Sequence, residues 1–132
     1  MTIVGYKELI HIVICGDDYE FTATMDTGNG GVAPTLGAED VVVEGDDVSF
    51  TIRGKRYTLP RKGEAAPTVG NVIHHRPLVL VDEIRIGDAV LKEVYLAIDG
   101  DRHKSTESLM NRDLMSRMGI VVDPSKNNLH SL

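Results

Sequence analysis

The chain has one Asp-Thr-Gly triplet, Asp26-Thr27-Gly28, at the end of the strand-like run Tyr19 to Met25 and ahead of the glycine-rich Asn29-Gly30-Gly31. A carboxylate delivered by a strand into a tight turn can present its oxygens to a cleft. The glycine lets other backbone, or a substrate, come close. A pair of such carboxylates can do general acid–base work on a water molecule. The triplet occurs once, so the second member of any pair must come from a second copy of the chain. The same residues also read as an Asx-type turn in which Asp26 bonds its own backbone. The triplet alone leaves both readings open.

The elements that must position Asp26 are strands, because period-2 alternation dominates the sequence. Ile3 to Cys15 reads as one strand, Cys15-Gly16-Asp17-Asp18 as a turn, and Tyr19 to Met25 as its antiparallel return. Further strands are expected at Asp40–Val43, Val48–Arg53, Arg56–Leu59, Leu78–Ile86 and Ala89–Ile98, with turns at Gly54-Lys55 and Gly87-Asp88. Residues 45–60 look like an inserted hairpin. Residues 60–70 hold two prolines and two glycines, which suits either a surface loop or a hairpin lid. Leu109, Met110, Leu114, Met115 and Met118 fall on helical spacing, with Ser105 or Thr106 as cap and Gly119 as terminator. Ile120–Asp123 and Asn127–Leu132 read as closing strands. With no alternation of strands and helices, the expected fold is all-β: one domain, a closed barrel and a single short C-terminal helix.

Composition narrows the function classes. The chain has 132 residues, 42% of them hydrophobic, with no Trp, two Phe and four Tyr, so its core must be aliphatic. A net charge of −6 without a basic cluster argues against a nucleic-acid partner. No apolar run approaches a membrane span, and no secretory leader pattern is present. Cys15 is the only cysteine, which excludes an intrachain disulfide and a cysteine-pair metal site and suits a small packing residue. These features predict a cytoplasmic protein. His74 and His75 are adjacent, and neighbours on a strand point to opposite faces, so they cannot easily share one metal. No His-Glu-x-x-His motif is present either, and no cofactor is expected.

Three segments in order resemble the retropepsin-like aspartic proteases. The first is the strand, Asp26-Thr27-Gly28 and the apolar loop reaching Val32 and Leu36. The second is Val69 to Arg76 running into Leu78–Gly87, similar to the descending arm of a protease flap and the strand after it. The third is Leu109 to Met115 followed by Gly119 to Asp123. Arg76-Pro77 adds a likeness to the bacterial and phage members that carry the name ATP-dependent zinc proteases. Two positions depart from the pattern. Asn111 stands where the family usually has Gly, and asparagine tolerates left-handed backbone. Gly30 stands where retroviral members carry an acid that pairs with the arginine corresponding to Arg112, so Arg112 needs another partner, Asp113 or Asp123 being candidates.

The resemblance implies a homodimeric endopeptidase acting on a peptide or protein substrate. Asp26 would be catalytic, with Thr27, Gly28 and Arg112 supporting the loop. Gly28, Asn29, Val32, Thr68, Val69, Gly70, Asn71 and Val72 would contact substrate, with a flap over residues 60–76. The termini, Met1–Val4 and Asn127–Leu132, would interleave with the partner. An acidic substrate would want a basic cleft, which Arg53, Lys55, Arg56, Arg61, Lys62 and Arg76 could supply. A dimeric binding module and a zinc-dependent hydrolase are the alternatives.

Overall fold

A computed structural model describes residues 1–66, 68–69, 71–102 and 106–127. Strict alternation in the sequence becomes strict alternation of burial. In Lys7–Ile14 (β2) the side chains of Glu8, Ile10, Ile12 and Ile14 are buried, and the residues between them are only half so. Asp17–Met25 (β3) buries Phe21, Ala23 and Met25 on the same principle. Asp26 is therefore the first residue past a core-facing one.

These two strands pair antiparallel from Lys7 with Thr24 to Ile14 with Asp17. The other strands of the barrel are Thr35–Gly37 (β4), Arg76–Ile86 (β11), Ala89–Asp99 (β12) and Ser108–Met110 (β13). Strand β2 pairs with β11, β11 with β12, β12 with β4, β4 with β13 and β13 with β3. The ring of six strands is thus closed, which removes its edges. Its interior is aliphatic as composition required: Ile10, Ile12, Ile14, Leu36, Ile84, Ile86, Leu96 and Ile98 are fully buried. Each such side chain contributes about 1.5–3 kcal/mol of burial free energy.

Outside the barrel, Glu39–Glu44 (β5), Asp47–Ile52 (β6) and Lys55–Pro60 (β7) form a three-stranded meander. The expected hairpin over 45–60 is thus β6 and β7, the last two strands of this meander. Phe50 and Tyr57 stack at 5.7 Å, Tyr19 and Phe21 at 5.6 Å, and the hydroxyls of Tyr19 and Tyr57 lie 2.5 Å apart, joining meander to barrel. Gly63–Ala65 (β8) adds to the start of β11, and Thr68–Val69 (β9) pairs antiparallel with Val72–Ile73 (β10). The 60–76 segment thus carries a short hairpin.

Four expectations need correction. The run Ile3–Cys15 is two strands, Thr2–Gly5 (β1) and β2, because Tyr6 breaks the ladder to bond Lys126 and Met25 through its backbone at 2.8 Å each. Strand β1 pairs parallel with Ile120–Asp123 (β14) of its own chain. Leu109 and Met110 belong to β13, not to a helix. The helix Arg112–Arg117 (α1) is capped by Asn111, not by Thr106, while Ser105 lies outside the described residues. Gly119 does end it, at φ +67. Cys15 is exposed rather than packed: it and Gly16 are the central residues of a tight turn at φ 48 and 82, which turns the thiol outward. Residues 128–132, most of the last expected strand, are outside the described set.

Candidate active site

Residues 26–34 form the loop between β3 and β4, and β13 is inserted between those two strands. It runs parallel to β3, with Met110 opposite Met25, and antiparallel to β4. This arrangement anchors the loop at both ends. The Asp26 N–H donates to the Met110 carbonyl at 3.0 Å, and the Arg112 N–H donates to the Asn29 carbonyl at 2.9 Å. The Asn111 side chain works in both directions. Its Nδ2 donates to the Gly31 carbonyl at 2.7 Å, and its Oδ1 accepts from the Leu114 N–H at 3.3 Å, capping α1. The backbone at Asn111 is extended (φ −92, ψ 169), so the left-handed tolerance expected to explain this residue is not used. Asparagine is there because one side chain must serve as donor to the loop and acceptor to the helix.

Asp26 is half-buried, and one carboxylate oxygen accepts the Gly28 N–H at 3.2 Å. The Asx turn is therefore real, and it also orients the carboxylate. The other oxygen has no partner among the described residues. Thr27 is exposed, and its hydroxyl has no partner within the chain among those residues. Asn29 folds its own side chain onto the Gly31 N–H at 2.8 Å. The Arg112 guanidinium lies over Gly30: a Cβ added there would stand 2.6 Å from Nη2. Arg112 makes no ion pair with Asp113 or Asp123. Asp123 is held instead by the Ser125 hydroxyl and N–H, which lower its pKa.

A cavity of about 150 Å³ opens beside the loop. Asn29, Gly31, Val32 and Ala33 line it from the loop, Ala65 and Ala66 from the base of the 60–76 segment, and Arg76 from the start of β11. Val32, Val72 and Ile73 are exposed, as is Asn71. For Thr68 and Val69 the structure describes backbone pairing only, and Gly70 lies outside the described residues. A larger cavity of about 430 Å³ lies between the meander and the barrel and shares no residue with the 26–34 loop.

Of the basic residues considered for a cleft, three are engaged elsewhere: Arg53 with Glu107 at 3.1 Å, Lys55 with Asp17 at 2.5 Å, and Arg56 with the Asp40 carbonyl at 2.7 Å. Arg76 alone of the six lines the small cavity. His75 pairs with Glu64 at 3.1 Å. Among the described residues no three His, Cys, Asp or Glu side chains stand together as metal ligands.

No family model matches the chain, and no curated protein matches it. Among solved structures, the crystal structure of Lpg0085 from Legionella pneumophila, a protein with unknown function (DUF785), is similar at a TM-score of 0.71. The likeness covers 97% of each chain at 21% identity, which shows a shared fold. No described helix is long and apolar enough to cross a membrane. Sequence reasoning missed the roles of Asn111 and Asp99. Asn111 carried a signal, since an Asn ahead of a short amphipathic run is a cap candidate. Asp99, whose carboxylate pairs with the Arg76 guanidinium at 3.3 Å, carried none, because the two lie 23 positions apart.

Proposed function

We propose that this chain is an aspartic endopeptidase that works as a homodimer, with Asp26 of each protomer meeting at a twofold axis. The observation that carries the reading is the state of Asp26. Its backbone is pinned to β13, its carboxylate is oriented by the Gly28 N–H, and its second oxygen is left without a partner. An Asx turn uses one carboxylate oxygen, so the second remains available to a partner carboxyl or a substrate. The unpartnered Thr27 hydroxyl beside it suits a bond to the second copy, which would hold the two loops level.

The chemistry follows from pairing. Two carboxylates about 3 Å apart share one proton. The ionised member takes a proton from water, whose oxygen attacks the scissile carbonyl carbon. The protonated member donates to the carbonyl oxygen, giving a gem-diol. The first proton then passes to the amide nitrogen as the carbon–nitrogen bond breaks, and the other carboxylate takes a proton back from one gem-diol hydroxyl, leaving acid, amine and a pair that again shares one proton. Substrate would lie extended along the loop, with backbone bonds at Gly28 and Asn29 and cover from the 68–73 hairpin. Neither a metal nor a covalent intermediate is required.

The test joins mass to activity. The wild-type protein should cleave a peptide library between mildly acidic and neutral pH, insensitive to EDTA, and sedimentation should show a dimer under the same conditions. Asp26→Asn should abolish cleavage and keep both mass and melting temperature. Full activity in a strict monomer, or in Asp26→Asn, would end the proposal.

A further inference from the structure

We propose that the cavity beside the 26–34 loop is a substrate subsite, and that Arg76 reads in it a side chain ending in a planar oxygen acceptor. The inference rests on the peptidase reading for its setting, since the cavity shares Asn29 and Gly31 with the catalytic loop.

The observation behind it is an under-used guanidinium. Arg76 is 20% exposed, and its one polar contact among the described residues is an ion pair from Nη2 to Asp99 at 3.3 Å. Nε is sealed from solvent and has no acceptor. A guanidinium carries five N–H donors. Burying most of one with a single long contact is costly, and native structures rarely tolerate it without a reason. Arg76 lines the cavity, where a carboxylate or amide oxygen could accept N–H bonds from its guanidinium.

Size and charge agree with such an occupant. About 150 Å³ is below the range of cofactor and drug-like sites, and suits one side chain. The walls at Ala33, Ala65 and Ala66 are small and apolar, fit for a methylene stem. Arg76 is the one cationic residue in the cavity lining among those described, and a guanidinium can bond a carboxylate or an amide oxygen.

Binding to the catalytically silent Asp26→Asn protein tests the subsite without cleavage. The probes are blocked alanine peptides carrying one Glu, one Gln or one norleucine, with the Arg76 Nε–Hε resonance as a local reporter. The Glu and Gln peptides should bind roughly 10–100-fold more tightly than norleucine and shift that resonance. Arg76→Met should bring all three to the norleucine level. Arg76→Lys, which keeps the charge beside Asp99, should retain only part of the preference for Glu. Glu above Gln supports a carboxylate site, and Gln at or above Glu an amide site. Norleucine binding as well as Glu, no binding by any peptide, or a preference unchanged in Arg76→Met overturns the proposal. If Arg76→Met does not fold, an unaltered Glu-to-norleucine ratio in Arg76→Lys does the same. Selective binding by a protein that never cleaves peptides would keep the subsite and remove the peptidase reading. Cleavage without selectivity would do the reverse.

Discussion

Gly30 leaves room for Arg112, and the contact between them tells how the 26–34 loop is built. A Cβ at position 30 would stand 2.6 Å from Nη2, but that atom is the far end of a long exposed side chain and can move. Gly30→Asp should therefore fold, shift Arg112 and form the ion pair that the retroviral pattern led one to expect. The pair would be solvent-exposed, so its gain should be about 0–1 kcal/mol by urea denaturation and should fade in high salt. A loss above about 2 kcal/mol would mean that Arg112 is locked in place by something other than packing over glycine. At this scale the sequence marked Asp26-Thr27-Gly28 as a tight turn that presents a carboxylate, and the Asx turn is there. It was silent on which oxygen of Asp26 is free, because that depends on an N–H two residues away adopting one particular turn.

The element that matters most is β13 with α1 behind it. Its insertion between β3 and β4 supplies the Met110 carbonyl, the Asn111 side chain and the Arg112 N–H to one loop. Asn111 is 1% exposed, so removing it leaves the Gly31 carbonyl and Leu114 N–H without their partner. Asn111→Ala should cost about 1–3 kcal/mol by chemical denaturation. Asn111→Asp should recover the helix cap but not the loop bond, so activity should stay low while part of the stability returns. Equal activity in both variants and wild type would show that the loop does not need this tie. A second element-scale test lies at β1. A Cβ on Gly5 would stand 2.7 Å from the Lys126 carbonyl, which is backbone and cannot swing away. Gly5→Ala should destabilise by about 1–3 kcal/mol. Its clearest signature would be faster amide exchange in Thr2–Gly5 and Ile120–Asp123, the two strands that this contact holds together. Helical spacing misled the reading of Leu109 and Met110, because three residues are too few to separate a period of 2 from one of 3.6.

Across the whole molecule, acidic residues clamp the pieces together. Asp17 bonds Lys55 and the Tyr57 hydroxyl of the meander, and these partners, Lys55 first, lower its pKa. Asp18 bonds Arg85 and His11, with Arg85 the larger cause of a pKa that is likewise lowered. A carboxyl whose folded pKa is depressed stabilises the fold at and above its ordinary value, and the gain is lost as pH falls through the folded value. The melting temperature should therefore drop as pH falls below about 4. Asp17→Asn, which no longer titrates, should flatten that dependence and lower stability at neutral pH, read by thermal scans across the acid range. An unchanged slope would place the acid sensitivity elsewhere. Burial, and then the bond to Asp17, push the Tyr57 hydroxyl up, so it remains a donor at any working pH.

The sequence by itself determined the class of the fold and the chemistry on offer. Period-2 alternation of aliphatic residues can bury a face only as sheet. The long alternating strands β2, β3, β11 and β12 were legible in this way, whereas β4 and β13, three residues each, were not; one Asp-Thr-Gly offers a carboxylate that could do acid–base catalysis only in a pair. Local signals of this kind survive because each depends on neighbours within a few residues. Tertiary structure alone decided the rest. Only closure of the barrel sets β13 between β3 and β4, so only it could show Asn111 serving loop and helix together. It also brought Arg76 against Asp99, beside a cavity whose walls come from three separate stretches of chain. Contacts across such separations are set by the geometry of packed strands, and no spacing along the chain encodes them.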